Sequence, residues 1–400
     1  MSRAIQPGEV HLVQEHIRHL AATIGGRGSC TAQERQAAEY AAAQMQSMGL
    51  QSVRLEPYQG APSTYHPFVL IFGAALVGSL LSWAGSGREW LALAAVLNGL
   101  GAWSMLMETD FTPTWTRRLL PKRPSQNAIG VIPAAIQPRR RLVISAHVDS
   151  HRTPVFYSTP AWRQMFGLLV SLAFLSMAAG GAFFALGALL GATWVRWLSL
   201  PAAVVQLAAF ILCLHADRTP FSPGANNGAS GVGIVLELGR RLIQEPLSLT
   251  EVWLVLDGCE ETGAHGMAAF LDAHAKELGD DAVYLVLDEA GLGKLQYLTA
   301  DGLVIKRSTH RQALELARRA SAALPELSIT PRQGIAYTDA AVATKRGLVA
   351  LSIGCLPEGE AGQVSHWHQL SDTVEHIDAR ALADSMAFAW QIAKEVDKLS

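Results

Sequence analysis

Residues 141–150, RLVISAHVDS, run from an unbroken apolar stretch of strand length straight into an imidazole and a carboxylate. Two later segments repeat the pattern, EVWLVLDGCEETG at 251–263 and AVYLVLDEAG at 282–291. Near-continuous apolar runs of this length mark strands buried on both faces, as in parallel sheets covered by helices on each side. Helical stretches separate or follow them: Gly231 to Gln244, His265 to Leu278, His310 to Ala323 and Asp378 to Lys398. Thr31-Ala-Gln-Glu34 has capping-box spacing before a further helix that runs to Gly49, and RLEPY (54–58) follows as a short extended piece. This alternation predicts an α/β, three-layer sandwich with a mostly parallel central sheet. His147, Glu260-Glu261 and Asp288 all fall just past strand carboxyl ends, where open α/β sheets place their sites.

Composition adds a second constraint. Half of the 400 residues are apolar and only 16% are charged, against about 25% in a typical soluble protein. The deficit is concentrated in four apolar runs, Pro67 to Gly87, Trp90 to Met107, Met165 to Trp194 and Trp197 to Leu214. Each approaches the ~20 residues that cross a ~30 Å hydrocarbon layer. Only Arg88 and Glu89 separate the first two, and Arg196 introduces the fourth. The runs therefore read as two transmembrane helical hairpins, residues 67–107 and 165–214, inserted into an α/β domain made of residues 1–66, 108–164 and 215–400. Their Gly, Ala and Ser content suits close packing in lipid. Trp83, Trp90, Trp103, Trp194 and Trp197 stand near run ends, as interfacial anchors do.

Because each hairpin crosses twice, the chain returns to its starting side. Arg117, Arg118, Lys122, Arg123, Arg139, Arg140, Arg141, Arg163 and Arg218 lie on the domain side, against Arg88 and Arg196 in the connecting loops. The positive-inside bias thus leads us to expect a multi-pass integral membrane protein with a cytoplasmic domain. The first twenty residues lack the basic start and apolar run of a cleaved secretory signal. A formal net charge of -2, with no basic stripe interleaved with aromatics, argues against a nucleic-acid partner. Cys30, Cys213, Cys259 and Cys355 are far apart and show no CxxC spacing, which suggests neither a zinc finger nor a disulfide framework.

The polar residues at the strand ends have the chemistry of a hydrolytic metal cage, which needs imidazole and carboxylate ligands and a separate carboxylate to take a proton from water. Two more fragments belong with them, the turn GANNGASG (224–231) and HWHQLSDT (366–373). In this order, AHVDS, PGANNGASGVG, CEETG, LDEAG and HWHQLSDT, the sequence resembles the zinc aminopeptidase family that includes glutamate carboxypeptidase and the glutaminyl cyclases. The resemblance covers residues 9 to 60, 125 to 155 and 220 to 398, with the hairpins as insertions.

The resemblance implies one or two zinc ions, with His147, Glu261, Asp288 and His368 as metal ligands and Glu260 as the general base. It implies that Asp149 orients the His147 imidazole and that Asp372 supports the site. The family's bridging aspartate falls at Asn227, a neutral side chain whose amide oxygen is a poor bridge between two cations. Thr338-Asp339 matches part of the family's Ser/Thr-Asp-His segment, with Ala340 in place of the histidine. By themselves, Glu260-Glu261 would read as an ordinary acidic helix start, and a lone buried His147 as hydrogen-bonded structure. His151, His265, His310 and His366 lack family counterparts and read as polar-surface or substrate-pocket residues.

The expected function is a membrane-anchored metallopeptidase, an aminopeptidase acting on short peptides, with the bilayer and a peptide substrate as its partners. A peptidase-like protein that binds peptides at the membrane without cleaving them is the alternative that Asn227 raises. A transporter is disfavoured because the apolar runs hold almost no ionisable residues.

Overall fold

The computed structural model describes residues 5–356 and 366–399. The chain forms two compact units, one built from Met1–Pro62, Lys122–Arg152 and Pro220–Ser400, the other from Ser63–Pro121 and Thr153–Thr219. The first is an α/β unit around a nine-stranded sheet. Its strands are β1 (Gln51–Gly60), β2 (Arg123–Ile132), β3 (Arg140–His147), β4 (Thr250–Asp257), β5 (Val283–Leu287), β6 (Lys294–Asp301), β7 (Arg307–Ser308), β8 (Thr330–Gln333) and β9 (Val349–Leu356).

They lie in the order β1-β2-β4-β3-β5-β9-β6-β7, with β8 beside β6. The sheet is mixed. Its centre, β4-β3-β5-β9, is parallel, while the β1–β2, β2–β4, β9–β6 and β6–β7 pairs are antiparallel. The expectation of a mostly parallel sheet therefore holds for the buried centre, whereas every flanking pair but β6–β8 is antiparallel. Of the flanking strands, β1 alternates and β7 and β8 are short, so their apolar signal is weaker. RLEPY proves to be the middle of a ten-residue strand.

The central strands are buried on both faces. Leu142, Ile144 and Ala146 of β3 join one core with Val13, Val235, Leu316 and Phe388, residues of the helices Pro7–Arg18, Gly231–Gln244, Arg311–Ala322 and Ala379–Asp397. The helix Ala32–Ser47 packs on β1, β2 and β4, His265–Leu278 on β1 and β2, and Asp339–Lys345 on β5 and β9, and Phe270 of His265–Leu278 meets Trp253 edge-on. Thr31 caps the helix Ala32–Ser47 by accepting from the Glu34 N–H. Glu34, however, does not close the capping box on Thr31. Its carboxylate accepts from the Cys30 N–H at 2.8 Å and the Cys259 N–H at 2.8 Å, which ties this helix start to the loop after β4.

The second unit is helical and inside-out. Among the described residues, three helices are long and apolar enough to cross a membrane, Arg88–Thr109, Pro160–Leu190 and Thr193–Ala216. The first expected span, Pro67 to Gly87, is helical only over His66–Leu81, 16 residues, or about 24 Å against a ~30 Å core. Large apolar side chains such as Leu80, Val96, Leu175, Leu189 and Val204 face outward. Small and polar ones, Ala75, Gly78, Ala94, Asn98 and Gln206, face inward.

The interior holds a closed polar network. The Asn98 amide donates to the Ala94 carbonyl at 3.0 Å and to the Ala75 carbonyl at 3.3 Å. The Gln206 amide donates to Asn98 Oδ1 at 2.9 Å and to Ser176 Oγ at 3.3 Å, while Ser79 Oγ donates to Gln206 Oε1 at 2.9 Å. Buried amides of this kind contribute through their partners, on the order of 1 kcal/mol per interhelical pair. Asn98→Leu is expected to lower the unfolding midpoint of the detergent-purified protein, and adding Gln206→Leu is expected to cost less than it does alone. Strict additivity in that double-mutant cycle would rule the coupling out.

Candidate metal centre

The parallel register aligns three strand ends. His147, the last residue of β3, stands opposite Asp257 of β4, and three residues beyond Asp257 comes Glu260. On the other side of β3, β5 ends at Leu287, one residue before Asp288. The side chains of His147, Glu260 and Glu261 converge, with ligand atoms within 4.8 Å of one another, and all three are buried. His147 Nε2 lies 3.3 Å from Asp288 Oδ1, and His368 Nε2 lies 3.4 Å from Glu261 Oε2. A tetrahedral zinc with bonds of ~2.0–2.1 Å has ligand-to-ligand edges of about 3.3–3.4 Å, so both pairs fit the edge of a zinc polyhedron.

Asp149 is fully buried and holds the arrangement from behind. Its carboxylate accepts from Ser29 Oγ at 2.6 Å, from the Glu260 N–H at 3.2 Å and from the Glu261 N–H at 3.2 Å. His147 Nδ1 lies 3.1 Å from the Asp149 carbonyl oxygen and 3.4 Å from its carboxylate. Either acceptor makes Nδ1 the protonated nitrogen and leaves Nε2 toward Asp288. Burial works against the Asp149 charge, but His147 and Ser29 hold its carboxyl below the usual range. Burial likewise opposes a charged His147, yet the carboxylates of Asp149 and Asp288, with Glu260, hold it well above the usual imidazole value. Burial pushes Glu260 well above the ordinary carboxyl range and Glu261 up to about 7, with His151 and His147 pulling Glu261 back.

The turn that carries Asn227 is forced into shape by its glycines. Gly228 has φ +96°, and a Cβ there would sit 2.8 Å from the Asp149 carbonyl oxygen. Asp372 accepts from the Asn226 N–H at 2.8 Å and the Asn227 N–H at 3.1 Å. The Asn227 amide orientation that satisfies both neighbours places its nitrogen 2.7 Å from Glu261 Oε1 and its oxygen 3.2 Å from the Trp367 indole nitrogen. Asn227 thus serves as a hydrogen-bond tether for Glu261. Backbone strain concentrates nearby, since Cys259 and His368 both adopt positive φ, 52° and 54°.

The structure brings in two residues, His151, which the sequence placed outside the cage, and Arg27, which it did not single out. His151, expected on a polar surface or in a substrate pocket, is buried with its ring stacked on His368, centroids 3.7 Å apart. Arg27 is fully buried. Its guanidinium donates to the carbonyls of Val148, Leu20, Gly25, Pro223 and Gly224 at 2.6–3.0 Å. One side chain so pins the segment after β3 to the Asn227 turn. Burial pulls its pKa down to about 10, against the favourable charges of Asp372 and Asp149. The flanking GGRGSC offers a signal in retrospect, a cation among small residues with no acidic neighbour in sequence. The cysteines carry no disulfide, though Cys30 and Cys259, distant in sequence, meet with Sγ atoms 3.4 Å apart.

A mixed sheet sandwiched by helices, with imidazoles and carboxylates gathered at parallel strand ends, is the architecture of the zinc exopeptidase fold. The zinc aminopeptidase BSAP from Bacillus subtilis matches with a TM-score of 0.57 and 14% identity, covering 97% of this chain and 95% of that one. A Bacteroides thetaiotaomicron glutaminyl cyclase bound to N-acetylhistamine matches with a TM-score of 0.53 and 14% identity, over 96% and 97% of the two chains.

The model of peptidase family M28 matches residues 203–393, and through that segment the chain resembles the zinc aminopeptidases of this family. The matched segment contains Asn227, Glu260, Glu261, Asp288 and His368, and leaves His147 and Asp149 outside it. Aminopeptidase YwaD of Bacillus subtilis is 30% identical over 175 residues, 42% of this chain and 36% of that protein. The probable lipoprotein aminopeptidase LpqL of Mycobacterium tuberculosis is 28% identical over 200 residues, 42% of this chain and 38% of that protein. The chain therefore spans little more than a third of the length of the curated relatives it matches.

Replacing Arg27 by Met is expected to destabilise the α/β unit by about 3 kcal/mol or more, because several buried carbonyls lose a donor at ~1–3 kcal/mol each. Arg27→Lys is expected to recover little, since an ammonium lacks the planar fork. Denaturant midpoints of the purified variants check this, and a midpoint unchanged in Arg27→Met refutes it.

Proposed function

We propose that this chain is a membrane-anchored zinc metallopeptidase that removes amino-terminal residues from short peptides. The observation that carries the reading is the convergence of the His147–Asp288 and Glu261–His368 pairs at the carboxyl ends of β3, β4 and β5, with Glu260 beside them. Zinc bound by these side chains supplies the polarisation of a scissile carbonyl and a lowered pKa for water.

The chain's own residues do the rest. Glu260, buried and raised well above the usual carboxyl range, takes a proton from water and returns it to the departing amine, the role of a general base and then acid. Asp149 holds His147 in one tautomer and fixes the Glu260-Glu261 backbone through the two N–H groups it accepts. Asp372 keeps the Asn227 turn in place. The outward-facing apolar side chains of Arg88–Thr109, Pro160–Leu190 and Thr193–Ala216 support a lipid anchor, with His66–Leu81 as a shorter fourth helix. The basic residues flanking the helices favour a cytoplasmic face for the α/β unit.

A second reading, peptide binding without cleavage, is favoured by Asn227, whose amide engages Glu261 in place of a bridging carboxylate. Zinc-supplemented digestion of a mixed peptide library by the detergent-purified protein separates the two. Stepwise loss of amino-terminal residues is expected for the native protein, with Glu260→Gln slower by ~10²–10⁴-fold. If neither protein yields products with metal in excess, the peptidase reading falls and the binding reading takes its place.

A further inference from the structure

Asn227 removes the carboxylate that would join the two halves of the cage, and the halves are not left equal. On one side stand His147 and Asp288. On the other, Glu261 and His368 are joined by a third donor, His151, and the ligand atoms of these three buried residues all lie within 4.8 Å of one another. We propose that His151, Glu261 and His368 form a self-sufficient His₂Glu metal site, so that this chain holds one tightly bound zinc without a bridging carboxylate. The proposal rests on the metallopeptidase reading for the identity of the metal, though not on catalysis.

Three observations converge on it. His151 Nδ1 lies 2.6 Å from the Arg152 carbonyl oxygen, an acceptor only, so Nδ1 is the donor and Nε2 carries the lone pair. A ligating histidine almost always has its other nitrogen anchored to such a carbonyl or carboxylate. The His151 backbone is itself fixed, because its carbonyl accepts from the Ser222 N–H at 2.8 Å and Arg152 bridges to Phe221.

Secondly, the rings of His151 and His368 stack nearly parallel, 12° apart with centroids at 3.7 Å. The two imidazoles are therefore neighbours whose ligand atoms lie within 4.8 Å of one another, and joint ligation requires one ring to turn about its Cβ–Cγ bond, because imidazole lone pairs lie in the ring plane. Thirdly, Asn227 engages Glu261 Oε1 at 2.7 Å, and the other oxygen, Oε2, lies 3.4 Å from His368 Nε2, the edge length of a zinc tetrahedron. Two imidazoles and one carboxylate with an open fourth position are the ligand set of a catalytic zinc.

The test uses the full chain in detergent, stripped with a chelator and titrated with zinc against a chromophoric competitor, with bound metal counted by mass spectrometry. One tight equivalent is expected for the native protein. His151→Ala is expected to weaken it at least tenfold, and Asp288→Asn, in the other half, to leave it within about threefold. Melting curves of the metal-free variants show whether each is folded.

Since a folding defect could mimic the loss, His151→Cys loaded with cobalt(II) gives a second readout. A thiolate-to-cobalt charge-transfer band, absent from the native protein, is expected if residue 151 is a ligand. A folded His151→Ala that keeps native zinc affinity, or a cobalt-loaded His151→Cys without the band, overturns the proposal. A protein that binds one zinc through His151 and cleaves no peptide would sink the peptidase reading while leaving this one standing.

Discussion

A guanidinium sealed from solvent must place its N–H groups on acceptors, and Arg27 places them on the carbonyls of three separate chain segments. Those segments are the end of the first helical region, the run just beyond β3 and the entrance to the Asn227 turn. Leu20 and Gly224 each accept one backbone N–H as well, from Gly25 and Ala229, and the guanidinium uses the second lone pair of those carbonyls to join the three segments. The site's loops are therefore held by one side chain donating outward, with Asp149 and Asp372 accepting N–H groups in the complementary direction. Opposite charges behind the site thus share the task of satisfying opposite ends of the peptide groups.

The same division explains the local electrostatics. Burial alone would discharge every carboxyl in the cluster. Asp149 escapes because it accepts hydrogen bonds from Ser29 and two backbone N–H groups and lies beside His147. Glu260 and Glu261 rise because burial outweighs the pull of His147 and, for Glu261, of His151. A carboxyl that reaches its charged state only with help from a neighbouring cation is one whose basicity depends on what occupies the cleft. Asn227 fits this economy, since an aspartate at 2.7 Å from Glu261 would add a like charge wherever no cation stood between them.

Much of this was legible in the sequence where a signal was both local and strong. The runs LVIS, VWLVL and VYLVL are apolar at every position because their strands are covered on both faces, and the helices Gly231–Gln244 and His265–Leu278 have the bounds that their periodicity implies. Strands β2, β6 and β9 were not singled out. Their pairing is set by distant partners, and β2 carries Ser125, Asn127 and Gly130 among its inward positions. The cage fragments could be found because five short motifs occur in a fixed order. Arg27 and His151 could not, since their meaning lies in what the fold brings against them, carbonyls up to 197 residues away for Arg27 and the His368 ring for His151. The first apolar run was read as long as its hydropathy, whereas its helix stops at Leu81, before Trp83-Ala-Gly-Ser-Gly87.

The amide–hydroxyl cluster of the helical unit has a bearing on how the chain is made. Asn98 belongs to the earlier apolar segment, yet Gln206, which fills its carbonyl oxygen, emerges from the ribosome more than a hundred residues later. Until then the Asn98 side-chain oxygen lacks the donor that fills it in the folded unit. The helix that carries Asn98 therefore depends on a much later helix to complete its hydrogen bonding. Strands β1, β2 and β3 precede Gln206 in the chain and the other six follow it, so the residues of this polar interior are complete in sequence before most of the sheet.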